Sequence, residues 1–233
     1  MMYNVYWGDE PKNFGDVLTE NLLNYFKIDH KHTNNFTKAN LFCIGSIVRL
    51  ANKDSLVLGS GIIRQNEKIV PNANFKFVRG PLTRDHIIAQ GGHCPKIYGD
   101  PALLLPFFCD ESTKEYDVGL VPHYQDYKFV KKMYPNHNVI NVVNDDPIKV
   151  AKEITKCRKI ISSSLHGIIC ASAYGIPSAQ VKFSKLHGDG IKFLDFYKSV
   201  EIEDPKISTV ERPDYSLGKI KPLNNIIEIF KTI

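Results

Sequence analysis

Three hydroxyl residues and a histidine, in the stretch Ser162-Ser163-Ser164-Leu165-His166-Gly167, follow an apolar β-branched run ending at Ile161. A helical apolar pattern through Ala171, Ala173 and Tyr174 comes next. That order reads as a buried strand turning directly into a helix. The first turn of a helix exposes unpaired N–H groups and a partial positive charge, so it attracts anions. His166 puts a titratable imidazole beside such an anion, where it can deliver a proton.

Other residues with chemical potential also sit where short apolar runs end. They are Asn13-Phe14-Gly15-Asp16, Gly45-Ser46, Gly59-Ser60-Gly61, Arg79-Gly80-Pro81, Gly99-Asp100 and His123. In parallel sheets ligands bind at the carboxyl ends of strands, so these residues are expected to converge. A guanidinium at Arg79 can grip a phosphate or carboxylate with two parallel hydrogen bonds. It can equally pair with a carboxylate such as Asp100, and both readings stay open. Arg84, beside Asp85, reads as a surface ion pair. His30 and His32 form an HxH pair with no Cys or carboxylate in register, so no metal site is expected. Gly59-Ser60-Gly61 lacks the third glycine and the downstream acid of a dinucleotide fingerprint. No phosphate-binding P-loop, nucleophile elbow or kinase motif is present.

The elements that must position these residues alternate between strand and helix. Strands are expected at Tyr3–Trp7, Asn40–Gly45, Ser55–Leu58, Phe75–Val78, Asp117–Val121, His137–Val143, Lys159–Ile161 and Ser178–Phe183. Helices are expected at Phe14–Lys27, Pro81–Gln90, Gln125–Tyr134, Pro147–Cys157, Ile191–Val200 and Leu223–Ile233, with a short one at Ser46–Ala51. Pro81 at a first helical position and Gly91-Gly92 after the end fit the start and stop rules. The alternation predicts an α/β protein with parallel sheets and crossover helices. It restarts after the polar stretch Cys109–Tyr116, which predicts two Rossmann-like domains, 1–112 and 113–233, with a cleft between them.

Bulk properties narrow the class. The chain has 233 residues, 43% hydrophobic and 24% charged, ordinary for a globular protein. No segment approaches the roughly 18 apolar residues of a membrane span, and the N-terminus lacks the pattern of a signal peptide. Five scattered cysteines, none in a CxxC pair, read as reduced thiols of a cytoplasmic protein. The net charge of +5 is spread out, with no basic block or aromatic platform for nucleic acid. It suits anionic substrates or, with the amphipathic tail helix, a peripheral place at a membrane face.

Taken together, the motifs resemble the polysaccharide pyruvyl transferase family. The matching pieces are Asn13-Phe14-Gly15-Asp16, Gly59-Ser60-Gly61, Val78-Arg79-Gly80-Pro81 and Gly99-Asp100-Pro101 through Pro106. Val121-Pro122-His123-Tyr124, Ser162 through Gly167, and Gly175-Ile176-Pro177 complete them. They run in the family's order over residues 3–183, and look most like the branch of bacterial exopolysaccharide and capsule assembly. The resemblance implies a GT-B-like arrangement of the two domains. It also implies transfer of the carboxyvinyl carbons of phosphoenolpyruvate to a sugar or lipid-linked oligosaccharide as a pyruvate ketal, with release of phosphate and no cofactor or metal. Many members carry Arg immediately before the Leu-His-Gly, where this chain has Ser164. Arg79, Arg64 or Lys182 is expected to supply the missing charge. The chain is also short for two full domains, so one is expected to be trimmed.

On this reading His166 is the acid, and His123 or Asp16 removes hydroxyl protons. Arg79, Ser162, Ser163, Ser164, Gly167, Gly59 and Ser60 are assigned to the donor, and Asn13, Gly15 and Asp100 to the acceptor. Two alternatives stand beside it: a GT-B glycosyltransferase using a nucleotide sugar, and a non-catalytic glycan-binding paralogue.

Overall fold

The computed structural model of the protein describes residues 2–184 and 187–233. In the first half, strands β1 (Tyr3–Tyr6), β2 (His30–His32), β3 (Leu41–Phe42), β4 (Leu56–Leu58) and β5 (Asn74–Phe77) alternate with helices α1 (Phe14–Tyr25) and α2 (Pro81–Ala89). A buried 3-10 segment, Pro101–Phe107, leads to the second half. There β6 (Tyr116–Val121), α3 (Tyr127–Met133), β7 (Asn138–Val139), α4 (Pro147–Thr155), β8 (Cys157–Ser162), α5 (Leu165–Ala173) and β9 (Ser178–Val181) follow in order. Helix α6 (Ile191–Ser199), β10 (Ile207–Ser208) and α7 (Asn224–Lys231) complete the chain.

Each half forms a five-stranded sheet, ordered β2-β1-β3-β4-β5 and β7-β6-β8-β9-β10. Every pairing within them is parallel. Counted within its own half, each sheet has the order 2-1-3-4-5, so the chain winds the same Rossmann-like sheet twice. The strand order reverses between β1 and β3 in the first sheet and between β6 and β8 in the second. Those are the switch points at which open α/β sheets bind ligands.

Neither sheet is trimmed. The economy lies in strand length, two to six residues, so expected strands such as Asn40–Gly45 and His137–Val143 pair over only two residues. The Ser46–Ala51 helix is a single 3-10 turn, Val48–Leu50. The HxH pair is strand β2, where His32 stacks on Trp7 with ring centroids 4.1 Å apart. All five cysteines are free and buried.

One hydrophobic cluster joins the halves, from Val5 and Leu41 through Leu103–Leu105 to Ile160 and Ile169. Helix α5 packs on the Pro101–Phe107 segment, and α1 packs on α4. The late helices return to the first half, with α6 against α2. Helix α7 buries Ile226 and Phe230, and Phe230 stacks on Phe26 at 4.9 Å and meets the edge of Phe77 at 5.9 Å. The apolar stripe of the tail is thus occupied inside the protein. Among the described residues no helix is long and apolar enough to cross a membrane.

Phe230 is 1% exposed, so Phe230→Ala leaves a cavity and is expected to lose about 3–5 kcal/mol in denaturant unfolding. Phe129→Ala, at an exposed position, is expected to change stability by less than about 0.5 kcal/mol. Equal stabilities for the two variants would contradict this packing of α7.

Candidate functional site

The two switch points face each other across a cavity of about 200 Å³. Gly8, Asn13 and Asp16 reach it from the end of β1, and Ser46, Ile47 and Arg49 from the end of β3. The second sheet contributes His123 and Tyr124 after β6, and Ser164, Leu165 and His166 after β8. His187 and Lys192 come from the segment after β9. Among the described residues two cations and three imidazoles thus line the cavity against one carboxylate, Asp16, a balance that favours an anion.

The start of α5 is built as an open end. Ser164 occupies the N-cap position with an extended backbone but makes no side-chain cap hydrogen bond. Ser162 holds the turn from behind: its Oγ donates toward the carbonyls of Val121 (2.7 Å) and Ser164 (2.8 Å) and accepts from the Ser164 N–H (3.0 Å). The first-turn N–H groups of the helix therefore have no side-chain cap at the cavity wall.

His166 is 8% exposed and lies flat on Gly15. A Cβ at Gly15 would fall 1.9 Å from His166 Nδ1, so only glycine lets the ring sit there. On the other side His166 Nε2 is 3.7 Å from Asp100 Oδ2. Both atoms are buried and neither has a hydrogen-bond partner. Asp100 is fully buried, and its other oxygen caps the 3-10 segment by accepting from the Ala102 N–H at 3.0 Å. The carboxylate is therefore fixed behind the imidazole. Asp16 lies in the first turn of α1 and accepts from Asn13 Nδ2 at 2.9 Å. Burial pushes its carboxyl up, opposed by the charge of His166 and the Asn13 hydrogen bond.

Burial, reinforced by the charge of Lys192, pushes His123 down to about 4. Its backbone N–H donates to Ser163 Oγ at 2.9 Å, which anchors the β6 loop to the β8 loop. Burial first, and the Lys192 charge second, also lower His187. Lys192 is itself 8% exposed. Burial and the nearby Arg79 charge push its ammonium down to about 8.

Arg79 requires a correction. It is fully buried and does not line the cavity. Its Nε donates to Asp195 Oδ2 (3.0 Å), one terminal nitrogen to Ser46 Oγ (2.7 Å) and the other to the Ile62 carbonyl (2.6 Å). Asp195 is also fully buried and accepts from the N–H (2.8 Å) and hydroxyl (2.7 Å) of Thr83. Each guanidinium nitrogen donates to a buried partner, and the group is closed off from the cavity; it positions Ser46 and clamps α6 to the first half. The ion-pair alternative was correct in kind, with Asp195 and not Asp100 as partner.

Other assigned residues also lie behind the cavity wall. Ser60 braces a loop, donating to the Gly45 carbonyl (3.0 Å) and accepting from the Ile47 N–H (3.3 Å). Gly59 turns at φ +87°, with Pro101 and Phe77 where a side chain would be. Gly167 is packed on Ser162 and Val121, and Gly15 and Asp100 serve the imidazole and do not line the cavity. Arg64 and Lys182, expected to replace the charge missing at Ser164, are exposed and outside the lining. The charges there are Arg49 and Lys192, neither singled out by the sequence.

Fold and site define an α/β protein with two Rossmann-like sheets, whose switch points form one small, positively charged cavity. Residues 13–179 match the family described as polysaccharide pyruvyl transferase, and the chain belongs to that family. A protein of Acanthamoeba polyphaga mimivirus, named only as uncharacterized, is 35% identical over 171 residues, 69% of this chain. The chain spans 60% of the length of that relative.

Two outcomes check this geometry. Arg79→Ala strands the buried Asp195 carboxylate, so it is expected to destabilise the fold by about 3–5 kcal/mol in denaturant unfolding; wild-type stability would contradict the clamp. In a ¹H–¹⁵N titration His123 is expected to protonate near pH 4, and inorganic phosphate is expected to raise that midpoint. An unfolded histidine titrates near 6.5, so this group adds stability above that pH that is lost as pH falls toward 4. A His123 midpoint near 6.5 without phosphate would contradict its burial beside Lys192.

Proposed function

We propose that the protein transfers the pyruvate unit of phosphoenolpyruvate to a sugar, free or lipid-linked, closing a ketal across two hydroxyls in surface polysaccharide synthesis. The observation that carries this reading is the cavity itself. It joins an uncapped helix start, two cations and a deeply set histidine in about 200 Å³. That suits a compact donor bearing a phosphate and a carboxylate. A nucleotide sugar calls for the roughly 300–1,000 Å³ of ordinary ligand pockets, and a GT-B-like arrangement of the two sheets leaves the acceptor to enter from the open side.

In this mechanism the Asp100 carboxylate stands 3.7 Å behind His166 Nε2, and the imidazole protonates the donor's methylene carbon. Nδ1, over Gly15, is the nitrogen left to work. Protonation turns the methylene into a methyl group and makes C2 electrophilic. A sugar hydroxyl bonds to C2 and gives its proton to Asp16, whose raised carboxyl is suited to accept it, or to neutral His123. The C2–O bond to phosphate breaks and phosphate leaves with the bonding electrons; the second hydroxyl then bonds to C2 to close the ketal and gives up its proton, which the departing phosphate takes as hydrogen phosphate. No step calls on a metal or nucleotide.

Mass spectrometry of candidate acceptors incubated with phosphoenolpyruvate is expected to show the added pyruvate unit and stoichiometric phosphate. His166→Gln is expected to lower kcat by roughly 10²–10⁴-fold, with unfolding unchanged. Gly15→Ala, which displaces the ring, is expected to follow it. A His166→Gln variant turning over at the wild-type rate would remove the histidine from the chemistry. Transfer from a nucleotide sugar instead of phosphoenolpyruvate would overturn the reading.

A further inference from the structure

We infer that the ammonium of Lys192 and the open first turn of α5 together seat the anionic group of the substrate, a phosphate or carboxylate on a small carbon frame. Lys192 is more than nine-tenths buried, yet it lines the cavity that Ser164, Leu165 and His166 reach from the opposite sheet. Among the described residues it has no ion-pair or hydrogen-bond partner. Its one close aromatic contact is the Phe193 ring at 5.5 Å. Its stem is buried while its ammonium opens into the cavity, and a cation so far withdrawn from bulk water and without a protein partner favours a counter-ion.

The charges around Lys192 do not supply that counter-ion. Arg79 repels it from behind, and Asp16, the one carboxylate among the described lining residues, attracts it without an ion-pair contact. His123 and His187 are pushed down in part by Lys192 itself. The other lining cation, Arg49, is exposed and lies 3.5 Å from Glu67. The segment that carries Lys192 is tied down on both sides of it. Its helix is clamped by Asp195 to Arg79 and Thr83, and Asp189 just before it accepts from the Gln65 N–H at 2.8 Å. An arriving anion would pair with the ammonium and with the unsatisfied N–H groups of α5 at once.

This inference rests on the reading that the cavity takes phosphoenolpyruvate, but inorganic phosphate tests it separately. Calorimetric titration of the full chain with phosphate and with phosphoenolpyruvate is expected to show both anions binding. Lys192→Met and Lys192→Gln are expected to weaken both by about 10- to 100-fold, and Lys192→Arg by much less. Melting temperature in the absence of anion is expected to change little in the Met variant, since the ammonium opens into the cavity and pairs with no protein group. Placing a guanidinium in the same cavity, K192M with S164R, is expected to recover at least a tenfold part of the lost affinity. Wild-type phosphate affinity in folded K192M or K192Q would overturn the seat, as would a wild-type protein that binds neither anion. Phosphate bound through Lys192 in a protein that forms no ketal would keep the seat and remove the pyruvyl-transfer reading.

Discussion

The approach of the His166 ring to the backbone of Gly15 is the contact on which the site depends. Gly15 opens α1 in the first half and His166 opens α5 in the second, so their contact presses two helix starts together at two switch points. A single Cβ at Gly15 would displace the ring from its seat in front of the fixed Asp100 carboxylate or part the two helix starts. The cavity exists between the sheets because this contact brings their carboxyl ends face to face without filling the space beside it.

A second tie governs the other wall. The Arg79–Asp195 pair is fully buried and every polar atom of the clamp is engaged, from Ser46 and Ile62 to both polar groups of Thr83. Buried ion pairs add little net stability over apolar packing, but they fix geometry, and removing one partner is expensive. Here the geometry fixed is that of α6, which carries Lys192 into the cavity, and of Ser46 on the facing loop. A residue that the sequence suggests for direct contact with substrate thus acts one layer behind, holding residues that line the cavity.

The fold was largely readable from the pattern of residues. Apolar runs broken by glycine and followed by 3.6-residue periodicity marked β1, α1, β5, α2, β8 and α5 closely, because each is long enough for its period to show. Two strands escaped. His-Lys-His in β2 and Ile-Ser in β10 are two- or three-residue pieces at sheet edges, with no fully buried residue and too few apolar positions to declare a period. The site was half readable. The start of α5, with Ser164 and His166, and the ends of β1 and β6 with Asn13, Asp16 and His123, follow from the rule that ligands meet strand ends, and all of them line the cavity. Arg79 misled because a strand-end arginine looks the same whether it faces substrate or a carboxylate 116 residues away. Lys192 left no mark, since a lysine in the first turn of an amphipathic helix ordinarily faces solvent. Only the return of α6 to the first half buries it, and that is a tertiary fact.

In the proposed reaction His166 protonates the donor's methylene carbon, and the product is a ketal carrying a methyl group. Running the reaction in D₂O and measuring deuterium in the transferred three-carbon unit tests it most directly. One solvent deuterium is expected on the methyl carbon of every transferred unit. A transferred unit that retains its methylene and carries no solvent hydrogen would mean that C2 is substituted without protonation of its neighbour, and would rule out ketal formation through His166.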